Sequence, residues 1–327
     1  MTSLKTVPET ALAVCAVGAA RSSMPAGRLV LASVLAGLYI AFGGALAIRA
    51  GAGVPAGWGP AGRLLFAGVF PLGLLLVVFG GAALFTGDVM YVSGAVMRGG
   101  ASLGRAVRAL CISWTGNLAG ALLLAFMVHW TGIYLDGGSA GAIAPYVVKL
   151  AAGKCSQGFW PLFVKGILCN QLVCLAVFMS LSAASPSAKA MLVWPPIFGF
   201  VALGMEHSVA NMFFIPAGIL TASWPGVASA AASGPGFGWC DFLVRNLIPV
   251  TLGNVVGGAL FVAAPYCLGF RERDKAGDSD RTGDRDRAGG SDRAGDRGKA
   301  GDSDRTGDCG KAGDSDRIRN AGFRIPD

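Results

Sequence analysis

The residues Gly-Met-Glu-His-Ser-Val-Ala-Asn at positions 204–211 interrupt an apolar stretch that runs from about Met191 to Leu220. A helix needs about 20 mostly apolar residues to cross a bilayer, so this stretch is long enough to do so. Glu206 and His207 are ionisable, and ionisable groups inside such a segment are costly and commonly functional. The sequence therefore predicts a membrane-spanning helix that is broken beside a functional site.

A second interrupted stretch runs from Leu64 to Val96 and is broken at positions 84–88, Leu-Phe-Thr-Gly-Asp. Only 14% of the residues are charged and 53% are hydrophobic, whereas soluble domains carry about 25% charged residues. We therefore predict an all-α integral membrane protein with six transmembrane helices, the second and fifth broken. The four unbroken stretches are Leu29–Ile48, Ala106–Trp130, Phe159–Ser182 and Leu243–Phe270.

The two halves of this segment resemble each other. Residues 115–122 in the third helix, Thr-Gly-Asn-Leu-Ala-Gly-Ala-Leu, parallel residues 252–259 in the sixth, Leu-Gly-Asn-Val-Val-Gly-Gly-Ala. A repeat of three helices places its two copies in opposite orientations, which gives an inverted 3+3 repeat. Paired breaks in inverted halves indicate a permeation site near the bilayer midplane. The positive N-terminal ends of half-helices suit an anion, although kinks also occur in helices that only pack.

The composition divides the chain into three parts. Residues 1–27 are predicted to be a cytoplasmic N-terminal segment and residues 28–270 a transmembrane pore domain. Residues 271–327 form an Asp/Arg-rich tail with seven six-residue repeats such as Ala-Gly-Asp-Ser-Asp-Arg, and this composition predicts disorder. The Lys and Arg residues of the short loops favour the inner side. We therefore predict a multi-pass protein of the plasma membrane with both termini in the cytoplasm.

His207 and Thr86 are the candidate functional residues of the two breaks. The imidazole of His207 can donate a hydrogen bond to an anion or exchange a proton with it, and the hydroxyl of Thr86 would face it across the pore. Asp88 is expected to cap the half-helix that follows the first interruption. Glu206 is expected at a helix or subunit interface, where its charge can be paired. His129 adjoins Trp130 at a helix end and is expected to be structural.

Several functional classes are disfavoured by the sequence. With two histidines and no Cys-x-x-Cys spacing, the chain offers no metal site. The cysteines in or beside apolar runs are interpreted as small hydrophobic residues rather than disulfide partners. No phosphate loop, dinucleotide fingerprint or nucleophile elbow occurs in a suitable setting, so we expect neither an enzyme nor a cofactor. The charge pattern lacks the basic stripe of a nucleic-acid-binding protein.

Four segments of the chain resemble segments that mark the formate/nitrite transporter family. Residues 200–216 resemble its fifth-helix signature, residues 165–177 its fourth and residues 246–254 its sixth, while residues 84–87 resemble its second-helix break. Together they span about Pro8 to Phe270. The tail has no counterpart in this resemblance.

The resemblance implies a homopentamer of aquaporin-like protomers in the lipid bilayer, each with its own pore. His207 would be the central pore histidine, Thr86 the threonine facing it, and Lys154 a vestibule lysine that attracts anions. Asn170 and Asn254 would support this region. Hydrophobic constrictions are implied at Phe70, Leu74, Leu84, Phe85 and Phe200.

The expected function is a channel or transporter for small monovalent anions or their acids, of the formate, nitrite and lactate class, linked to protons. Such a substrate is a monocarboxylate or an inorganic anion. Two alternatives stay open. One is an aquaporin-like channel for neutral solutes, although the chain lacks the two Asn-Pro-Ala boxes of such channels. The other is a non-transporting membrane scaffold whose tail is the working part.

Overall fold

The computed structural model describes residues 4–227 and 237–270, and the regular elements within these ranges are helices. This confirms the all-α prediction, while the predicted disordered tail lies outside the described residues. The helices, numbered here in chain order, are α1 Val7–Ser23, α2 Ala26–Ala52, α3 Ala61–Val69, α4 Leu72–Phe79, α5 Phe85–Met97, α6 Leu103–Thr131, α7 Ile143–Cys155, α8 Phe159–Ser182, α9 Pro186–Ala202, α10 Ser208–Ala222 and α11 Asp241–Gly269. Helix α11 contains two π-helical segments, Asp241–Leu247 and Ala259–Ala263.

Five segments in the described ranges are long and apolar enough to cross a membrane. They are α2, α3 together with α4, α6, α8 and α11. The predicted fifth span is divided between α9 and α10, of which α10 is apolar but has only 15 residues. Helix length alone therefore supports several crossings, and the count of six stays a prediction.

Both predicted interruptions are present, a few residues earlier than the sequence suggested. The first break, residues 80–84, separates α4 from α5, and the second break, residues 203–207, separates α9 from α10. Each contains a glycine in the left-handed region, Gly81 with φ 66° and Gly204 with φ 70°, a conformation that costs glycine little. Residues 85–88 and 208–211, which we had assigned to the interruptions, form the first turns of α5 and α10.

Asn117 of α6 holds the first break. Its Oδ1 accepts a hydrogen bond of 2.8 Å from the backbone N–H of Phe85, and its Nδ2 donates to the carbonyl oxygens of Ser33 at 2.8 Å and Ala83 at 2.9 Å. Asn117 is fully buried. Because unpaired backbone groups are costly where water is absent, this one side chain satisfies groups from α2, the break and α5.

Asn254 of α11 makes the same set of bonds in the second half. Its Oδ1 accepts from the N–H of Ser208 at 2.8 Å, and its Nδ2 donates to the carbonyl oxygens of Gly166 at 2.8 Å and Glu206 at 3.1 Å. The sequence similarity between the third and sixth spans thus corresponds to equivalent hydrogen bonds. Asn170 of α8 joins the halves, since its Nδ2 donates to the carbonyl oxygens of Thr86 and Asn254.

Small residues allow α2 and α6 to pack closely. At Gly120 of α6, an added Cβ would overlap the carbonyl oxygen of Val34 on α2. Glycine at such contacts lets two backbones approach, which is a common basis of helix association in membranes.

We expect Gly120→Ala to destabilise the protein by about 1–3 kcal/mol, because the added methyl group must push the two backbones apart. The matched control is Gly104→Ala on the same helix, where no atom lies within 4 Å of the added Cβ. Thermal unfolding of the purified protein should show a lower midpoint for Gly120→Ala and an unchanged or slightly higher one for Gly104→Ala. Equal midpoints for the two variants would contradict this packing.

We also expect Asn117→Ala to lower the unfolding midpoint, since it leaves the Phe85 N–H without its partner and removes one donor from each of two carbonyl groups. A buried group left unsatisfied costs about 1–3 kcal/mol. Thr115→Ala is the control on the same helix, because this exposed hydroxyl bonds only to carbonyls of α6 itself. A midpoint for Asn117→Ala as high as that of the control would show that the asparagine does not hold the break.

Candidate functional site

The candidate site is centred on His207, the N-cap residue of α10. Its Nδ1 accepts a hydrogen bond of 3.0 Å from the backbone N–H of Ala210. In a neutral imidazole with an accepting Nδ1, the proton lies on Nε2. Nε2 is 2.9 Å from the Oγ1 of Thr86, so it donates to this hydroxyl. The predicted meeting of Thr86 and His207 is therefore observed.

Both residues are placed by the ends of half-helices. Thr86 lies in the first turn of α5, and both side chains are buried. The positively polarised N-terminal ends of α5 and α10 therefore meet at the bond between Thr86 and His207. This arrangement provides hydrogen-bond donors and partial positive charge at the same point.

A cavity of about 640 Å³ leads to His207 from the surface. Exposed Arg63 and Lys149 line one part of it, and buried Phe70, Phe200 and His207 line another. The cavity therefore joins a basic entrance to an apolar interior with one polar site.

Lys154 and Glu206 form an ion pair in the wall of this cavity. The Lys154 Nζ lies 3.0 Å from the Glu206 Oε2, which also accepts a bond of 2.7 Å from the Nδ2 of Asn211. Asn246 donates to the carbonyl oxygen of Lys154 at 2.9 Å and accepts from Asn211 at 2.8 Å. As expected, Glu206 is paired, and its partner Lys154 belongs to a different helix, α7. Glu206 also lines the cavity beside His207.

Aromatic rings surround the buried end of the cavity. The ring centroids of Phe70 and Phe200 are 5.9 Å apart in an edge-to-face arrangement, and Phe200 stacks on His207 at 5.9 Å. Leu74, Leu84 and Phe85 are also buried, but they are not part of the cavity lining. Their role as constrictions stays a prediction.

The predicted pathway residues form one connected network. Thr86 bonds to His207, and Asn170 bonds to the carbonyl of Thr86 and to that of Asn254. Asn254 in turn bonds to the carbonyl of Glu206, the ion-pair partner of Lys154. The structure thus brings all five together.

A second buried ion pair was missed by sequence reasoning. The Arg21 Nε of α1 lies 3.1 Å from the Asp88 Oδ1, and the Oγ of Ser113 donates to Asp88 Oδ2 at 2.7 Å. Asp88 is only 1% exposed. The expectation that it caps α5 is wrong, since Leu84 is the N-cap residue and the N–H of Phe85 at the start of α5 is paired with Asn117 instead.

The internal repeat of the sequence could have identified Arg21 as a counterpart of Lys154. Arg21 precedes Ser33 by twelve residues, and Lys154 precedes Gly166 by the same twelve. The carbonyls of Ser33 and Gly166 are the equivalent acceptors of Asn117 and Asn254. Arg21 on α1 is therefore the counterpart of Lys154 on α7, so each half carries one buried ion pair near its break.

His129 lies outside this network. Its Nδ1 accepts a hydrogen bond of 3.0 Å from the Nε1 of Trp224, in agreement with a structural role. Within residues 4–227 and 237–270, no group of three His, Cys, Asp or Glu side chains is arranged to hold a metal ion.

Comparison with known proteins gives a consistent result. The family model "Formate/nitrite transporter" matches residues 8–268. The chain is 42% identical to a probable formate transporter of Methanothermobacter thermautotrophicus over 281 residues, which cover 81% of this chain and 96% of the relative. It is 37% identical to the formate channel FocA of Escherichia coli (strain K12) over 251 residues, which cover 74% of this chain and 86% of the relative.

A solved structure supports the same assignment. A pentameric formate channel with formate bound superimposes with a TM-score of 0.63 at 32% identity, covering 75% of this chain and 97% of that chain. The family consists of transporters and channels, which confirms that the chain is not an enzyme. The chain belongs to the formate/nitrite transporter family.

Proposed function

We propose that this protein is a membrane channel or transporter for formate, nitrite and similar small monovalent anions or their acids. The names of its relatives support this substrate class. The observation that carries the proposal is the hydrogen bond between His207 and Thr86 at the inner end of a cavity with a basic entrance.

The entrance would concentrate anions. Arg63, Lys149 and Lys154 line the cavity, and a cleft lined by one sign of charge raises the local concentration of its counter-ion. Lys154 is paired with Glu206, which leaves little net charge next to His207. This arrangement attracts an anion into the cavity without binding it tightly beside His207.

Beyond the entrance, the anion would lose water among Phe70, Phe200 and Phe214, which line the cavity. Loss of water makes its charged form costly, so the pKa of a weak acid such as formic acid rises there. The ion would then accept a proton and continue as a neutral acid. The Thr86 hydroxyl would supply a hydrogen bond at this point, and the His207 Nε2–H would do so by exchanging its bond to Thr86 for one to the substrate.

The proton would come from water rather than from His207. Protonation of His207 at Nδ1 would break the bond from the Ala210 N–H and place a cation at the positive end of α10. His207 therefore acts as a neutral hydrogen-bond donor. This supports proton-linked transport in which the substrate, not the histidine, changes its protonation state.

The assembly is proposed to be a homopentamer in the plasma membrane, with both termini in the cytoplasm. The pentamer is supported by the solved pentameric formate channel, whose length this chain covers almost completely. Each protomer would contain its own pore, since the five predicted pathway residues meet within one chain.

We expect His207→Ala to reduce formate and nitrite flux in proteoliposomes by on the order of ten- to a hundredfold, because a hydrogen bond to a charged group contributes about 1.5–3 kcal/mol. Flux of the unmodified protein should be higher at about pH 5.5 than at about pH 7.5, since more substrate is then protonated. Thr86→Val should reduce flux in the same direction, because it removes the hydroxyl and keeps the shape.

His129→Ala is the control, since this histidine lies outside the cavity and should leave most of the flux intact. Undiminished flux in His207→Ala would remove this residue from the mechanism. No flux of either anion through the unmodified protein would reject the transport function, and passage of neutral solutes alone would favour the aquaporin-like alternative.

We expect Lys154→Gln to raise the formate concentration at half-maximal flux several-fold and to weaken the dependence of flux on ionic strength, because it removes a positive charge from the cavity wall. Lys189→Gln removes the same charge at the start of α9, away from the cavity lining. Measurement of flux against formate concentration at low and high salt distinguishes the two. Identical behaviour of both variants would contradict a local role for Lys154.

A further inference from the structure

Two thiols from opposite ends of the described chain are in contact. The Sγ atoms of Cys15 on α1 and Cys267 on α11 lie 3.5 Å apart, although 252 positions separate them in sequence. Both cysteines are free. A disulfide has an S–S distance of about 2.05 Å, so the sulfur atoms need to approach by about 1.5 Å.

The surroundings keep the two sulfur atoms together. Both lie above Gly94 of α5, where an added Cβ would be 2.7 Å from the Cys267 Sγ and 3.5 Å from the Cys15 Sγ. Arg98, at the end of α5, donates from its Nε to the carbonyl oxygen of Cys267 at 2.6 Å. The pair is therefore confined between three helices beside a fixed guanidinium group.

The two thiols differ in access and reactivity. Cys15 is partly exposed, whereas Cys267 is fully buried. The hydrogen bond with Cys267 stabilises the thiolate of Cys15 and lowers its pKa to about 7; burial opposes this effect and the charge of Arg98 adds to it. Because the thiolate is the reactive form, Cys15 is suited to react first and Cys267 second.

We propose that Cys15 and Cys267 are a redox pair that closes to a disulfide on reaction with a peroxide. The Cys15 thiolate attacks one peroxide oxygen, the O–O bond breaks, and a sulfenic acid forms at Cys15. The hydroxide that leaves takes up a proton and becomes the first water. The Cys267 sulfur then attacks the Cys15 sulfur, the S–O bond breaks, and water leaves. In total, two thiols and one hydrogen peroxide give one disulfide and two waters.

The disulfide would tie α1 to α11. Helix α1 is not among the segments long and apolar enough to cross a membrane, and it packs on α5 and α11. It also carries Arg21, which pairs with Asp88 just beyond the first break. Oxidation would therefore keep α1 packed against α5, the helix that follows the first break. Reduction would again allow α1 to separate from α5.

The test uses the full-length protein in lipid nanodiscs, treated with a small excess of hydrogen peroxide, blocked with maleimide and mapped by mass spectrometry. The expected result is a linked peptide that contains Cys15 and Cys267, lighter by two hydrogen atoms than the two thiol peptides together. It should disappear with dithiothreitol. Hydrogen exchange in α1 should slow on oxidation, and this change should be absent in Cys15→Ser.

Cys240→Ser is the matched control, since it removes an exposed thiol outside the pair and should leave the linked peptide unchanged. The proposal is overturned if Cys240 is oxidised while Cys15 and Cys267 both remain thiols. It is equally overturned if Cys15 proceeds to sulfinic acid with Cys267 still reduced. These readings do not depend on transport, so they stand whether or not the protein moves formate.

Discussion

The need to pair every backbone polar group inside a membrane governs this structure. A break in a membrane helix exposes N–H and C=O groups that water cannot reach, and here Asn117 and Asn254 provide their partners. Each asparagine binds the break and also a carbonyl of a neighbouring long helix. The breaks are thus fixed parts of the fold, and they place Thr86 and His207 face to face.

The two halves of the repeat also place their buried charges in equivalent ways. Each half places one basic side chain from a short helix against one acidic side chain close to its break, Arg21 with Asp88 and Lys154 with Glu206. Burial of a charge is costly unless it is paired, so pairing lets charged groups persist near the breaks. The two halves differ in detail, since Asp88 lies within α5 whereas Glu206 lies in the second break itself.

Much of this architecture could be predicted from the sequence. The apolar lengths gave the membrane helices, and the paired interruptions pointed to His207 and Thr86. The errors concerned the exact bounds of the breaks and the positions of individual side chains. The breaks begin before the polar residues that suggested them, because Gly81 and Gly204 adopt the left-handed turns. Asp88 was misplaced because its partner, Arg21, is distant in sequence and becomes its neighbour only once α1 packs.

The position of the two asparagines also sets an order of assembly. A chain is synthesised from its N-terminus, and Asn117 and Asn254 each follow in sequence the segments that they bind. The first break therefore cannot be completed until α6 has been made, and the second waits for α11, the last described helix. The two breaks are thus completed in succession, the first by α6 and the second by α11. A nascent chain that ends just after α6 already contains everything that its first break needs.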